Sequence, residues 1–253
     1  MSFRDEWAAF LLAVQFLTRL PVPDPGYTPE RMAASPRWHP AAGAVIGALT
    51  GAVFWVSAAL WPHLVASTVA TAFGLLLTGC FHEDGFADAC DGLGGGSTRE
   101  RALEIMRDSR LGTYGTAGLA MMLLGRIACF AALPVAAVPW VLVGMHAASR
   151  LSSVIVLATS AYVRDHGTGK PVSEGMRPGD LALPAATAAL ALVPALAAMG
   201  SGAVLAGLAG LAAGHVLMRA RFERRLGGYT GDCLGAVEQC SGIGFLLGIL
   251  AWG

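Results

Sequence analysis

Residues 41–81 of the chain, AAGAVIGALTGAVFWVSAALWPHLVASTVATAFGLLLTGCF, carry no Asp, Glu, Lys or Arg side chain. A transmembrane helix needs ~20 predominantly apolar residues, so this stretch is long enough for two spans. The interruption Trp61-Pro62-His63 divides it, because short breaks of this kind between apolar runs are typical of turns. The stretch therefore predicts an antiparallel pair of membrane helices.

The rest of the sequence follows the same pattern. Of the 253 residues, 55% are hydrophobic and 13% are charged, and the mean hydropathy is +0.60, which is too apolar for an ordinary soluble domain. We expect an all-α fold, a polytopic transmembrane helix bundle of about seven spans. Residues 1–253 are expected to form a single integral membrane domain. The candidate spans are 40–61, 64–82, 115–134, 138–160, 181–199, 202–219 and 236–252.

The N-terminal segment, Phe3 to Leu20, is apolar but begins with charged residues. It predicts either a short span or an amphipathic helix that lies on the membrane surface. The segment lacks a basic first region and a small-residue cleavage site, so we do not expect a signal peptide.

Charged residues are distributed unevenly along the chain. The breaks near residues 62, 137 and 201 carry no Lys or Arg, whereas the longer polar segments are basic. Because cytoplasmic loops are enriched in Lys and Arg, we expect these segments on the cytoplasmic side of the inner membrane. The formal net charge is zero, so nothing indicates a nucleic-acid partner. The orienting charges are Arg19, Arg31, Arg37, Arg99, Arg101, Arg107, Arg110, Arg164, Lys170, Arg177, Arg219, Arg221, Arg224 and Arg225.

An acidic cluster, HEDGFADACDG at residues 82–92, ends the apolar run. On a helix, Asp84, Asp88 and Asp91 fall at i, i+4 and i+7 and share one face, and Glu83 adds a fourth carboxylate. Like charges this close repel each other unless a cation lies between them. Oxygen ligands without thiolate or paired imidazole suit Mg²⁺ better than Zn²⁺. The cluster predicts a magnesium site, with a solvated acidic helix end as the alternative.

A second polar cluster, RDSRLGTYG, spans residues 107–115. Arg107 and Arg110 are suited to holding phosphate oxygens, and Gly112 and Gly115 let backbone N–H groups approach an anion. The alternative is a basic anchor that ends a cytoplasmic helix.

The third cluster, YTGDCLGAVE at residues 229–238, opens the last predicted span. Asp232 suits a helix N-cap, which does not exclude a role as a ligand. Glu238 lies about two turns deeper, and an ionisable residue inside an apolar span is a functional candidate. Arg126 and Arg150 also lie inside apolar spans. We expect them to neutralise Glu238 or to line a cavity for an anionic substrate.

The acidic cluster resembles the H-x-D-G-x-x-D-x-x-D-G signature of the cobalamin synthases, the adenosylcobinamide-GDP ribazoletransferases. The resemblance extends to IMRDSRLGT at 105–113, YTGDCLGA at 229–236 and FLTRLPVP at 16–23, in the order that the family has. The signature leaves position 83 open, so Glu83 belongs to it less firmly than the three aspartates.

The resemblance implies a Mg²⁺-dependent enzyme integral to the cytoplasmic membrane. It would join α-ribazole, or α-ribazole 5′-phosphate, to adenosylcobinamide-GDP and release GMP. Such phosphoryl transfer needs metal-held phosphates, cationic clamps and a base near the nucleophile. The expected metal ligands are Asp84, Asp88, Asp91 and Glu83, and the expected catalytic residues are Asp91, Arg107, Asp108, Arg110 and Asp232.

Two other classes remain as alternatives. The CDP-alcohol phosphotransferases are also polytopic and Mg²⁺-dependent, but their signature needs Ala and Arg where this chain has Asp88 and Ala89. A secondary transporter would bury charges near the midplane of repeated halves. The clusters here lie at the predicted cytoplasmic mouth, and no internal repeat is visible. The sequence leaves open whether the chain forms an oligomer.

Overall fold

The computed structural model describes residues 2–164 and 175–252, so Lys170 lies outside the described residues. Within those ranges the chain is helical, without a named strand, and the predicted all-α class is confirmed. Short 3₁₀ turns cover Ser35–Trp38 and Pro178–Leu181. The α-helices are α1 Phe3–Leu17, α2 Pro29–Ala34, α3 His39–Ala58, α4 His63–Thr78, α5 Phe81–Gly95, α6 Arg99–Ile105, α7 Thr113–Ala132, α8 Val138–Thr159, α9 Ala182–Leu226 and α10 Gly231–Trp252.

Five helical segments in the described residues are long and apolar enough to cross a membrane, and α4 with α5 adds a sixth if the two form one bent span. The prediction of about seven spans agrees with this result once α9 is divided at its break. Helix α8 is the most enclosed, with 83% of its apolar window buried, so it lies at the centre of the bundle.

The break in α9 is at Gly200, whose backbone is non-helical at φ 81° and ψ 163°. On a straight helix, Leu192 and His215 would lie about 35 Å apart. Both contact α8 instead, Leu192 at Gly144 and His215 at Ser152. The two halves of α9 therefore fold back on each other, as the Gly200-Ser201-Gly202 break predicts.

The predicted span 64–82 is wrong at its C-terminal end. Helix α4 stops at Thr78, because Gly79 (φ 65°) and Cys80 (φ 58°) both adopt the left-handed conformation that ends helices. The axis then turns by 91° into α5. The acidic cluster thus lies on a separate short helix that is nearly perpendicular to α4.

Helix α1 is not among the segments long enough to cross a membrane. Its side chains Phe3 and Trp7 are exposed, whereas Val14 and Leu17 pack into a small cluster with α3. The helix is thus exposed at its start and packed against the bundle along its later turns.

The polar segments meet at one end of the bundle. The Arg99 guanidinium donates to the carbonyl of Leu226 at 2.7 Å, which joins α6 to the end of α9. The Arg164 guanidinium donates to the carbonyl of Met106 at 3.3 Å, which joins the segment after α8 to the end of α6. The three clusters identified in the sequence are therefore neighbours in the fold.

Candidate active site

Close packing between α5 and α10 brings the first and third clusters together. A Cβ atom on Gly85 would lie 3.0 Å from the Cα of Asp232, and one on Gly235 would lie 2.8 Å from the carbonyl oxygen of His82. Only glycine permits so close an approach of two helices. The glycines of the two motifs therefore place the face of α5 that carries Asp84 and Asp88 against the start of α10.

Three of the predicted carboxylates share this contact. Asp88 is repelled most by Asp232, then by Asp84, and is attracted by Arg164. Neither Asp84 nor Asp88 makes a side-chain hydrogen bond or an ion pair within residues 2–164 and 175–252. Their oxygens are thus available to a ligand.

Arg164 is the main site residue that the sequence analysis missed. Its guanidinium donates to Asp232 at 2.7 Å, and its Nε atom is buried without a hydrogen-bond partner in the described part of the chain. A parallel bridge between Tyr162 and Tyr229 fixes its position, since the Val163 amide donates to the Tyr229 carbonyl at 3.0 Å. In the sequence Arg164 is visible only as a basic residue after a span, because the bridge joins segments far apart in the chain.

A cavity of about 130 Å³ opens at this contact. Its lining combines the polar side chains Asp84, Asp232 and Arg164 with aromatic side chains that include Phe16 and Phe81. Burial raises the pKa of Tyr162, which keeps its hydroxyl protonated on the polar side. The other lining residues are Leu17, His39, His82, Gly85, Ser153, Leu157, Gly231, Leu234 and Gly235.

Asp91 faces a different part of the molecule. Its carboxylate accepts the backbone N–H groups of Gly112 at 2.7 Å and Gly115 at 2.8 Å, at the start of α7. A Cβ atom on either glycine would collide with that carboxylate. The glycines of the second cluster therefore make room for Asp91, and not for a bound anion as the sequence suggested.

Glu83 points away from Asp84, into the bundle. It is 6% exposed, its Oε1 atom lies 3.2 Å from Nη1 of Arg126, and it accepts a hydrogen bond from Gln239 at 3.0 Å. Arg150 in turn pairs with Glu238 at 3.0 Å. The expectation that an intramembrane arginine neutralises Glu238 is thus met by Arg150, whereas Arg126 pairs with Glu83.

The remaining predicted residues, Arg107, Asp108 and Arg110, lie at the surface. Arg110 is paired with Asp108 at 2.5 Å, and this hydrogen bond lowers the pKa of Asp108 to about 2. Asp108 and Arg110 line a second, open cavity of about 430 Å³ that reaches Asp91. Arg107 is exposed and lies within electrostatic range of Tyr162, on the side of the first cavity.

The donor set suits a hard cation. Asp84, Asp88 and Asp232 offer only oxygen atoms, and like charges held together favour a cation between them. No three acidic, His or Cys side chains of the described residues are close enough to enclose a metal ion as they stand. Side-chain rotation of Asp84 and Asp88, which are otherwise unpaired, would be needed to complete a coordination shell.

Comparison with known proteins gives a consistent result. Residues 9–250 match the family model described as cobalamin-5-phosphate synthase. The adenosylcobinamide-GDP ribazoletransferase of Leptothrix cholodnii is 44% identical, with 96% of this chain and 94% of that protein aligned. Its namesake from Ralstonia pickettii is 39% identical over 99% of this chain and 98% of that protein. No solved structure matches the chain. On this evidence the chain belongs to the cobalamin-5-phosphate synthase family.

Proposed function

We propose that the protein is an adenosylcobinamide-GDP ribazoletransferase of the inner membrane, with its active site facing the cytoplasm. It joins α-ribazole or α-ribazole 5′-phosphate to adenosylcobinamide-GDP and releases GMP. The observation that carries the proposal is that Asp84, Asp232 and Arg164 line one cavity, with Asp88 on the same face of α5 and repelled by Asp232, in a chain whose relatives bear that name.

In this reaction a ribose hydroxyl oxygen attacks the phosphorus that carries the cobinamide group. A new P–O bond forms, the P–O bond to GMP breaks, and the hydroxyl proton passes to a base. Asp84, Asp88 and Asp232 are the residues that would hold Mg²⁺. When bound, the ion would neutralise charge on the phosphates and act as a Lewis acid.

The protein's own groups then supply charge and orientation. Arg164 is held beside Asp232 and lines the cavity, so its guanidinium is suited to donate to a phosphate oxygen there. Asp232 is also fixed by the Thr230 hydroxyl, which donates to it at 3.3 Å. A carboxylate fixed in this way can orient the attacking hydroxyl. Arg107 and Arg110, at the rim, would stabilise the charge on departing GMP.

We expect the aromatic side chains of the cavity to hold the base of the acceptor. Phe16 packs against Phe81 at a ring distance of 5.1 Å and against His39 at 6.0 Å. Phe16 meets Phe81 edge to face and stacks on His39, and all three line the cavity that Asp84 lines. Aromatic rings at this place suit the planar base of a nucleoside acceptor, because aromatic rings stack favourably.

The test is GMP release from adenosylcobinamide-GDP by the purified protein in detergent, with α-ribazole 5′-phosphate as acceptor. We expect release that requires Mg²⁺, stops with a chelator and is lost in Asp84→Asn. The alternatives predict other outcomes: CMP release from a CDP-alcohol for a CDP-alcohol phosphotransferase, or substrate uptake into vesicles without GMP release for a transporter. Absence of GMP release from well-folded protein would refute the proposal.

A further inference from the structure

We infer that Glu83 and Asp91 are positioning residues that clamp α5 at its two ends, so that Asp84 lines the cavity and Asp88, on the same face of the helix, is held close to Asp232. The four carboxylates of the motif thus have two roles, although the sequence presents them as one cluster. The expected effect on turnover rests on the proposed function, whereas the expected effect on the stability of the fold does not.

Helix α5 needs such clamps because it is intrinsically weak. Four of its 15 residues are glycines, each of which costs a helix about 1 kcal/mol relative to alanine. Its N-cap, Cys80, is left-handed and makes no side-chain capping bond. The helix also follows a 91° bend, so it does not continue the axis of α4. Its orientation therefore depends on contacts with α7 and α10.

The first clamp holds the N-terminal turn of α5. Glu83 accepts hydrogen bonds from Arg126 on α7 and from Gln239 on α10, and Arg126 also donates to the Gln239 side-chain oxygen. Three helices are thus tied together at one carboxylate. Because Glu83 immediately precedes Asp84, the clamp fixes the rotation of the helix that presents Asp84.

This clamp continues into a buried network of balanced charge. Gln239 donates to Glu238 at 2.9 Å, and Glu238 accepts from Arg150 at 3.0 Å and from Ser149 at 2.9 Å, both on α8. The negative charges of the two carboxylates balance the positive charges of the two guanidinium groups. Each of the four side chains is at most 10% exposed. Removing one partner of a buried pair leaves an uncompensated charge, which is far more costly than removing both.

A small internal space of about 20 Å³ lies within the network, large enough for one water molecule. Two atoms of the network that lack a partner among the described residues, Oε2 of Glu83 and Nε of Arg150, belong to residues that line it. Glu83 thus lines this internal space and not the cavity that Asp84 lines.

The second clamp holds the C-terminal half of α5. Both oxygens of Asp91 accept backbone N–H groups of the second cluster, at Gly112 and Gly115. These amides lie in the first turn of α7 or just before it, where N–H groups have no partner within the helix. Asp91 therefore fixes both the end of α5 and the start of α7.

The inference is tested by Glu83→Met, Arg126→Met and the double variant, with Asp84→Asn as a comparison for loss of a metal ligand. We expect each single Met variant to lower kcat at least ~10-fold and to reduce the Tm by several degrees, and the double variant to regain most of both. The Mg²⁺ concentration for half-maximal activity should stay unchanged in Glu83→Met and in Asp91→Asn, and rise in Asp84→Asn. A half-exposed pair outside the site, Asp5 with Arg31, serves as the control and should show no such coupling.

Two outcomes would contradict the inference. The first is a double variant that is as inactive as Glu83→Met, which would give Glu83 a direct role in metal binding. The second is an Mg²⁺ requirement that rises in Glu83→Met or Asp91→Asn as much as in Asp84→Asn, which would show that the substituted residue binds the metal. The Tm measurements need no turnover. If the wild-type protein released no GMP, the proposed function would fail. The coupling in Tm between Glu83 and Arg126 would still show whether these two residues hold α5 in place.

Discussion

The Arg164 guanidinium lies 2.7 Å from the Asp232 carboxylate and joins the segment after α8 to the first turn of α10. The two side chains are only 12% and 18% exposed, and both line the cavity that Asp84 reaches. This pair places a fixed positive charge beside the carboxylates, at the point where a phosphate would enter.

Loss of Arg164 should therefore impair the reaction more than the fold. Arg164→Lys keeps the charge but loses the planar donor group, so we expect kcat/KM to fall ~10²-fold, and further in Arg164→Gln. Initial rates of GMP release measure the effect. Asp232→Asn combined with Arg164→Gln tests the alternative that the arginine only neutralises Asp232: recovery of activity in the double variant would contradict the proposed phosphate contact.

Replacing either unpaired carboxylate should abolish most activity. Asp84→Asn and Asp88→Asn preserve the side-chain shape but remove a charge, and positioning and electrostatics carry this type of chemistry. We expect turnover to fall by at least ~10²-fold in each variant. Near wild-type turnover in well-folded protein would remove Asp84 and Asp88 from the metal site.

Much of the site could be predicted from the sequence, but the contacts within it could not. The spacing of Asp84 and Asp88 was enough to place them on one helical face, because helical periodicity is local. Glu83 and Asp84 could not be separated in this way. Adjacent residues on a helix point about 100° apart, and only the packing of α7 and α10 shows which of the two is enclosed. Arg164 was missed because its partner, Asp232, is 68 residues away.

For the fold, too, the features that depend on local sequence could be predicted and the others could not. Apolar runs and the glycines at 200 and 202 predicted the number of spans and the fold-back of α9, because both depend on local composition. The bend after Thr78 was not predicted, since Cys80 adopts a left-handed conformation that residues with a side chain seldom take.

The arginines of the second cluster should differ in their effects. Both Arg110 and Arg101 line the second, open cavity. Arg110 pairs with the neighbouring Asp108 in the loop of the second cluster, whereas Arg101 pairs with Glu104 at 2.7 Å on the surface of α6. If Arg110 contacts phosphate, Arg110→Lys should lower kcat/KM about 10-fold, and Arg101→Lys should change it little. Equal effects would favour a simple basic anchor for both.

Gly115 should not tolerate a side chain. A Cβ atom there would collide with the Asp91 carboxylate and with the carbonyl of Ala87. We expect Gly115→Ala to lower the free energy of unfolding by about 1–3 kcal/mol through overpacking. Thermal unfolding in detergent measures this, with Gly179→Ala as the control, because a Cβ atom at Gly179 has no neighbour within 4 Å. Equal Tm values for the two variants would contradict the close contact.

The orientation of the bundle in the membrane can be tested independently of the reaction. If Lys and Arg placement sets it, the end of the bundle that holds the three clusters faces the cytoplasm, and the turns near residues 62 and 201 face the other side. Substrates made in the cytoplasm would then reach the cavity without crossing the bilayer.

The test is labelling of single cysteines. The five native cysteines are first replaced, and single cysteines are introduced at Ser97, Ser109, His63 and Ser201, all of which are exposed. A membrane-impermeant thiol reagent applied to intact cells should label His63→Cys and Ser201→Cys and spare Ser97→Cys and Ser109→Cys. All four should react once the membrane is made permeable. Labelling of Ser97→Cys from outside intact cells would place the carboxylates on the wrong side for a cytoplasmic substrate.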